Sequence, residues 1–120
     1  MTVHSQFKNP NRMDINDQPI AQRLIGKHVI VRSRNEGINF GKLEAADETG
    51  CVITDARRIW YHKPADSKMA WYEGVALSGL HRSSKVSAPV ARKVIVEDYS
   101  LTECSDEAVA SIQKHPNYEG

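Results

Sequence analysis

The residues best suited to chemistry are the tandem arginines Arg57-Arg58 and the aromatic pair Trp60-Tyr61 that follows them. An arginine fork binds phosphate through two parallel hydrogen bonds, and an aromatic face can stack on a nucleobase. In an extended strand, side chains alternate between the two faces, so one face is predicted to carry Val52, Thr54, Ala56, Arg58 and Trp60. This face would form a shelf for a planar anion. The alternative is that Trp60 belongs to the core and an arginine covers it.

A second basic segment lies between Arg82 and Lys85, where cations and hydroxyls crowd a predicted loop. Cations, hydroxyls and free backbone amides are what a phosphate pocket uses, although a solvated turn has the same composition. The predicted ligand-binding residues are Arg32, Arg57, Arg58, Trp60, Arg82, Ser83, Lys85 and Arg92.

The sequence lacks the patterns of the common enzyme and metal sites. Its five histidines show no HxH or HxxxH spacing, and it contains no GxGxxG, GxxxxGK[ST] or GxSxG motif. The two cysteines, Cys51 and Cys104, form no CxxC pair and are predicted to be reduced and packed as small apolar groups. We therefore expect a binding protein rather than an enzyme, with no metal and no cofactor.

Composition and charge narrow the class of ligand. The chain has 120 residues, no apolar run long enough to span a bilayer and no signal-peptide pattern, so one intracellular domain without membrane attachment is expected.

Residues 27–93 contain 12 Lys and Arg against 7 Asp and Glu, whereas residues 94–120 contain 1 against 6. This modest basic excess suits a small phosphorylated ligand better than a long nucleic acid.

The elements that must position these residues are mostly strands. The predicted fold is mainly β with short helices (α+β), built on a small curled antiparallel sheet or a barrel-like core. Residues 1–16 are predicted to form a flexible arm, residues 17–116 the ligand-binding domain and residues 117–120 a tail. Predicted strands cover residues 27–34, 38–46, 51–62, 86–90 and 93–104, predicted helices cover residues 19–25 and 68–76 and begin near Ser105, and Gly41 predicts a bulge or bend.

The stretch from Val29 to Ile112 resembles a family of small phage proteins, the Thoeris anti-defence sponges of the first-described type. The most specific block is Asp-Ala-Arg-Arg-Ile-Trp at residues 55–60, preceded by Val-Ile-Val-Arg-Ser-Arg-Asn-Glu-Gly-Ile-Asn-Phe-Gly-Lys-Leu at residues 29–43. Gly74-Val75, Ser87-Ala88-Pro89-Val90 and the late segment 104–112 follow in the same order. Between Pro64 and Ser84 the sequence departs from the pattern.

The resemblance implies a protein that cleaves nothing. Such sponges sequester the cyclic nucleotide signals of bacterial anti-phage immunity (Thoeris and CBASS), which are cyclic ADP-ribose isomers and cyclic di- or trinucleotides. They act in the cytoplasm of the infected host and assemble as homo-oligomers, such as a hexamer built from dimers, with pockets between subunits. The sequence leaves two other hypotheses open: an Sm-like or SH3-like RNA-binding module, suggested by the meander at residues 27–61, and a structural protein that assembles through its barrel.

Overall fold

The computed structural model describes residues 18–119, so the predicted arm at residues 1–16 lies outside the described part of the chain. An antiparallel sheet dominates the fold, and two short helices pack on it. The strands are β1 (His28–Ser33), β2 (Gly37–Asp47), β3 (Gly50–Tyr61), β4 (Lys85–Val86), β5 (Val90–Ile95) and β6 (Tyr99–Glu103), and the helices are α1 (Trp71–Ser78) and α2 (Asp106–Lys114).

The sheet is open rather than closed into a barrel. Its strand order is β4-β3-β2-β1-β6, and β5 pairs with β3 as well. Strands β4 and β5 therefore lie one after the other along the same edge of the long strand β3, while β6 forms the opposite edge. The mainly β prediction is confirmed, and its barrel-like variant is wrong because no pairing joins the two edges within residues 18–119.

The sheet has a hydrophobic cluster on each face. Ile30, Phe40 and Ile59 pack under the two helices, against residues such as Val75 and Ile112. On the other face, Val29, Leu43, Ile53 and Ile95 form a second cluster. Strand β1 is covered by a cluster on each face, and this explains why its apolar residues follow one another without alternation.

The sequence predicted the start of the C-terminal helix correctly and the N-terminal helix wrongly. Ser105 caps α2 as predicted, because its hydroxyl accepts a hydrogen bond from the Ala108 amide at 3.0 Å, and the acidic first turn complements the helix dipole. The helix predicted at residues 19–25 is instead a single 3-10 turn, Ile20–Gln22. So short a segment gains too few hydrogen bonds to continue as an α-helix.

The single strand predicted at residues 93–104 is two strands, because the chain breaks after Ile95. The Glu97 carboxylate accepts hydrogen bonds from the Asn35 and Glu36 amides at 2.8 and 3.0 Å, which fixes the connecting turn. Strand β5 then stays on β3, while β6 joins β1 on the far edge. No helix in the described residues is long and apolar enough to cross a membrane.

Candidate functional site

A bulge in β3 divides the predicted shelf between the two faces of the sheet. Asp55 has a φ of 49°, and the register shifts so that Asp55 and Ala56 lie opposite Gly41. Gly41 allows this close approach, since a Cβ there would lie 2.9 Å from the Ile53 Cβ atom and from the Thr54 carbonyl oxygen. The predicted irregularity at Gly41 is therefore confirmed.

The bulge changes which side chains share a face. Ala56 packs with Cys51 and Ile53 in the second cluster, whereas Ile59 joins the cluster under the helices. Strict alternation had placed Ala56 on one face with Val52 and Thr54, and this part of the prediction is wrong because the extra residue reverses the alternation.

Arg57 is buried, with only 3% of its surface exposed. Its Nε donates to the Ser87 carbonyl at 2.9 Å, one terminal nitrogen donates to the Ile112 carbonyl at 2.6 Å, and the other donates to Asn117 Oδ1 at 2.9 Å. Burial lowers the pKa of the guanidinium from its ordinary value. These contacts join β3 to the C-terminal end of α2, so the structure accounts for Arg57 as a fold residue.

Arg58 lies on the other face and is about half exposed. Its guanidinium is 4.0 Å from the Glu36 carboxylate, and the Lys93 ammonium is 2.8 Å from the same oxygen and 3.0 Å from Asn39 Oδ1. The hydrogen bond from Lys93 lowers the pKa of Glu36. Because Lys93 holds the carboxylate at a shorter distance, Arg58 is only weakly paired and its guanidinium can reach an anion.

Trp60 is a second extra residue in β3, between the pairs Ile59–Val86 and Tyr61–Lys85. Trp60 is 56% exposed, so the alternative in which it belongs to the core is wrong. The indole meets the Tyr118 ring edge-to-face, with 5.1 Å between centroids and 89° between planes. The Lys85 ammonium lies 5.1 Å from the Tyr118 ring centroid. We call Trp60, Lys85 and Tyr118 the Trp60 surface.

The turn before β4 contributes cations rather than open amides. Ser83 donates its amide N–H to His81 Nδ1 at 3.1 Å, and its hydroxyl lies 2.8 Å from the same nitrogen. The Ser84 amide donates to the His81 carbonyl at 2.9 Å. Internal hydrogen bonds therefore engage the backbone that a phosphate would need, and Arg82 and Lys85 remain as the exposed cations of this segment.

The other two predicted residues lie elsewhere on the sheet. Arg92 forms a two-pronged ion pair with Glu44, with distances of 3.1 and 2.9 Å. Arg32 projects from β1 beside Ile38 and Ser100, in a groove of about 710 Å³, and has no salt bridge within residues 18–119. The structure thus brings Trp60 and Lys85 together with Tyr118, and places Arg58 two residues away along β3.

Sequence reasoning missed Tyr118 and Asn117, which it assigned to a tail. The signal available was weak: a lone tyrosine after Pro116, beyond the last helix. In the structure, the Tyr118 amide donates to the Val86 carbonyl at 2.8 Å, so this segment lies against β4.

The two thiols are free and buried, as predicted. Burial raises the pKa of Cys51 to about 11 and, with the charge of Glu103, that of Cys104 to about 12. Neither is a thiolate near neutral pH, and a thiol is a poor nucleophile. Within residues 18–119, no group of three or more His, Cys, Asp or Glu side chains is placed to hold a metal ion.

The fold and the site define a small α+β domain that exposes an aromatic and cationic surface at the edge of an open sheet. The chain belongs to the DUF6948 family, a domain of unknown function, whose model matches residues 26–112. The matched segment contains β1 to β6 and α2 up to Ile112, and leaves Tyr118 outside. Neither the curated proteins nor the solved structures contain a match to this chain.

Proposed function

We propose that this protein binds a cyclic nucleotide without cleaving it and so removes an immune signal from the cytoplasm of a phage-infected bacterium. The observation that carries the proposal is the exposed Trp60, which lies in a bulge of β3 and contacts Tyr118, the ring that also meets the Lys85 ammonium. A purine can stack on the indole, which contributes about 1–3 kcal/mol per base. Arg58 and Lys85 supply cations for the phosphates.

The sequence resemblance to the Thoeris anti-defence sponges supports the same ligand class, because its most specific block contains Arg58 and Trp60. In this structure Arg57, from the same block, ties the strand to α2. In this proposal Arg58, rather than Arg57, therefore contacts the phosphate. Arg82 and Ser83 stay as outer candidates, whereas Arg92 and Arg32 are too dispersed to join one small ligand on the Trp60 surface.

A sponge has to bind tightly, with a Kd near the nanomolar range, or about −12 kcal/mol. One stacked ring and two cations on an open surface fall short of that, so the proposal includes a homo-oligomer that encloses the ligand between subunits. Exposed valines on and just beyond β5 support such contacts: Val90, Val94 and Val96 are 51%, 58% and 75% exposed. Within residues 18–119, β5 pairs with β3 alone, so its outer edge can pair with a second chain.

Calorimetry tests the binding proposal with cyclic ADP-ribose, cyclic dinucleotides and cyclic trinucleotides as separate probes. We expect one of them to bind at submicromolar concentration, and Trp60→Ala to weaken binding at least tenfold. Trp71→Ala is the matched control, since Trp71 is 75% exposed but belongs to α1 and not to the Trp60 surface. Equal losses in both variants, or no binding of any probe, would refute the proposed site.

Mass spectrometry of the ligand released by heat denaturation tests the absence of cleavage. Recovery of the intact cyclic molecule supports sequestration, whereas a linear product would make the protein an enzyme.

Single-stranded RNA is the alternative ligand, because the same indole and cations would serve a stacked base and its backbone. The open sheet is unlike the closed Sm-like barrel on which that hypothesis was based. Gel shifts with single-stranded RNA distinguish the two, since RNA binding through many phosphates weakens steeply as salt rises.

A further inference from the structure

The C-terminal segment 115–119 runs back from α2 across β4. The His115 Nε2 atom lies 2.7 Å from the Ser84 carbonyl oxygen, and the Tyr118 amide donates to the Val86 carbonyl at 2.8 Å. Between these two points, Asn117 accepts the hydrogen bond from Arg57. Three contacts along four residues therefore fix the path of the segment, and that path ends on the Trp60 surface.

Tyr118 occupies the two features that a nucleotide would use there. Its ring contacts the indole of Trp60 edge-to-face, and the Lys85 ammonium lies over the same ring. A base stacked on Trp60 would need the indole, and a phosphate beside it would need the ammonium. The phenol ring covers part of the indole and lies beside the ammonium, so a nucleotide bound there would compete with Tyr118 for these contacts.

The segment is attached weakly compared with the core. Residues 116–119 are exposed, they belong to no helix or strand, and Tyr118 itself keeps 38% of its surface exposed. Segments with few buried contacts open at a small fraction of the free energy of global unfolding. We therefore expect residues 115–119 to leave the surface at a lower cost than unfolding of the sheet and α2.

We propose that residues 115–119 form an intramolecular cover that competes with the ligand for Trp60 and Lys85. This inference rests on the proposed nucleotide-binding function and adds its regulation. The ligand binds only the open form, so its apparent Kd exceeds the intrinsic Kd by the inverse of the open fraction. Any partner or second subunit that holds the segment away raises the affinity of the site.

A measurement without ligand tests whether the cover exists. The chain has two tryptophans, so Trp71→Phe leaves Trp60 as the only indole fluorophore. In this background, Tyr118→Ala should increase acrylamide quenching of the fluorescence by about twofold, whereas Tyr118→Phe keeps the ring and should leave quenching unchanged. Equal quenching in all three proteins would overturn the cover.

Calorimetry with cyclic ADP-ribose and a cyclic dinucleotide tests the competition. Tyr118→Ala and Asn117→Ala should each tighten binding about threefold to tenfold, the range set by losing one aromatic contact or one anchor. Tyr118→Phe should bind like the unmodified chain, and urea denaturation checks that each variant is folded.

The outcomes separate the two proposals. Binding that is unchanged or weaker in both loosened variants overturns the cover and leaves the proposed function intact; weakening in Tyr118→Ala alone would make Tyr118 a ligand contact. If no probe binds the unmodified chain or Tyr118→Ala, the proposed function fails and the competition fails with it.

Discussion

Replacement of Arg57 by alanine should destabilise the fold strongly, whereas the same replacement of Arg58 should leave stability nearly unchanged. The two arginines are adjacent in sequence, yet one is 3% exposed and the other has 45% of its side chain exposed. The pair therefore separates the contribution of a buried cation from that of a surface cation without changing the residue type.

The expected magnitude follows from the partners of Arg57. Three hydrogen bonds from a charged donor contribute about 1.5–3 kcal/mol each, so their loss alone would exceed 4 kcal/mol. The change also removes a cation whose burial is unfavourable, and water can reach Asn117 afterwards. We therefore expect a net loss of about 3 kcal/mol for Arg57→Ala, compared with about 0.5 kcal/mol or less for Arg58→Ala.

Urea denaturation at neutral pH, followed by circular dichroism, measures both changes from the midpoint at constant m value. Arg57→Met is the control for side-chain volume, because it keeps most of the packing and removes all the donors. It should lose nearly as much stability as Arg57→Ala. An Arg57→Ala protein within about 0.5 kcal/mol of the unmodified chain, or an equally large loss at Arg58, would refute this division of roles.

Three further changes test other parts of the structure. Gly41→Ala should lower the free energy of unfolding by about 1–3 kcal/mol in urea denaturation, because the new methyl group would meet Ile53 and the Thr54 carbonyl at the bulge. An unchanged free energy of unfolding would mean that β2 and β3 lie further apart at this point than the structure shows. The pKa of Glu36 is lowered by Lys93, so this carboxylate stabilises the fold above its ordinary pKa of 4.5, and the stability is lost as pH falls through its lower folded value. Glu36→Gln should flatten the acid side of the stability profile, and an unchanged slope would contradict the contact. Both cysteines should resist a thiol reagent at pH 8 in the folded protein and react after unfolding, since burial raises their pKa values to about 11 and about 12; rapid labelling of the native chain would show an exposed thiol.

The sequence predicted the strands well where local signals agreed. Strand-forming residues from Cys51 onward, the Asp47–Gly50 turn and the serine cap of α2 each depend on near neighbours, and each lies where it was predicted. At the turn, Asp47 Oδ1 accepts hydrogen bonds from the amides of Thr49 and Gly50, which follow two and three residues later in the sequence.

The path of the chain between elements was harder to predict, because it depends on distant partners. The break after Ile95 is fixed by Glu97 binding amides more than 60 residues earlier, and no local pattern announces that contact. Closure of the sheet likewise depends on whether β6 reaches β4 or β5, which alternation along a single strand does not encode. Tyr118 was missed for the same reason, since its partners Trp60 and Val86 are remote in sequence.

The sequence pointed to the right block of β3 for the candidate site but assigned its side chains to the wrong faces, and the two bulges of β3 explain why. Without the extra residue at Asp55–Ala56, strict alternation would place Arg57 on one face with Cys51 and Ile53, away from α2. The bulge reverses this assignment, so Arg57 reaches the carbonyl of Ile112 in α2 and Arg58 turns to Glu36. The second bulge contains Trp60, whose ring is 56% exposed. The binding proposal depends on Trp60 more than on either arginine, because Arg57 is held within the fold and Arg58 lies towards Glu36.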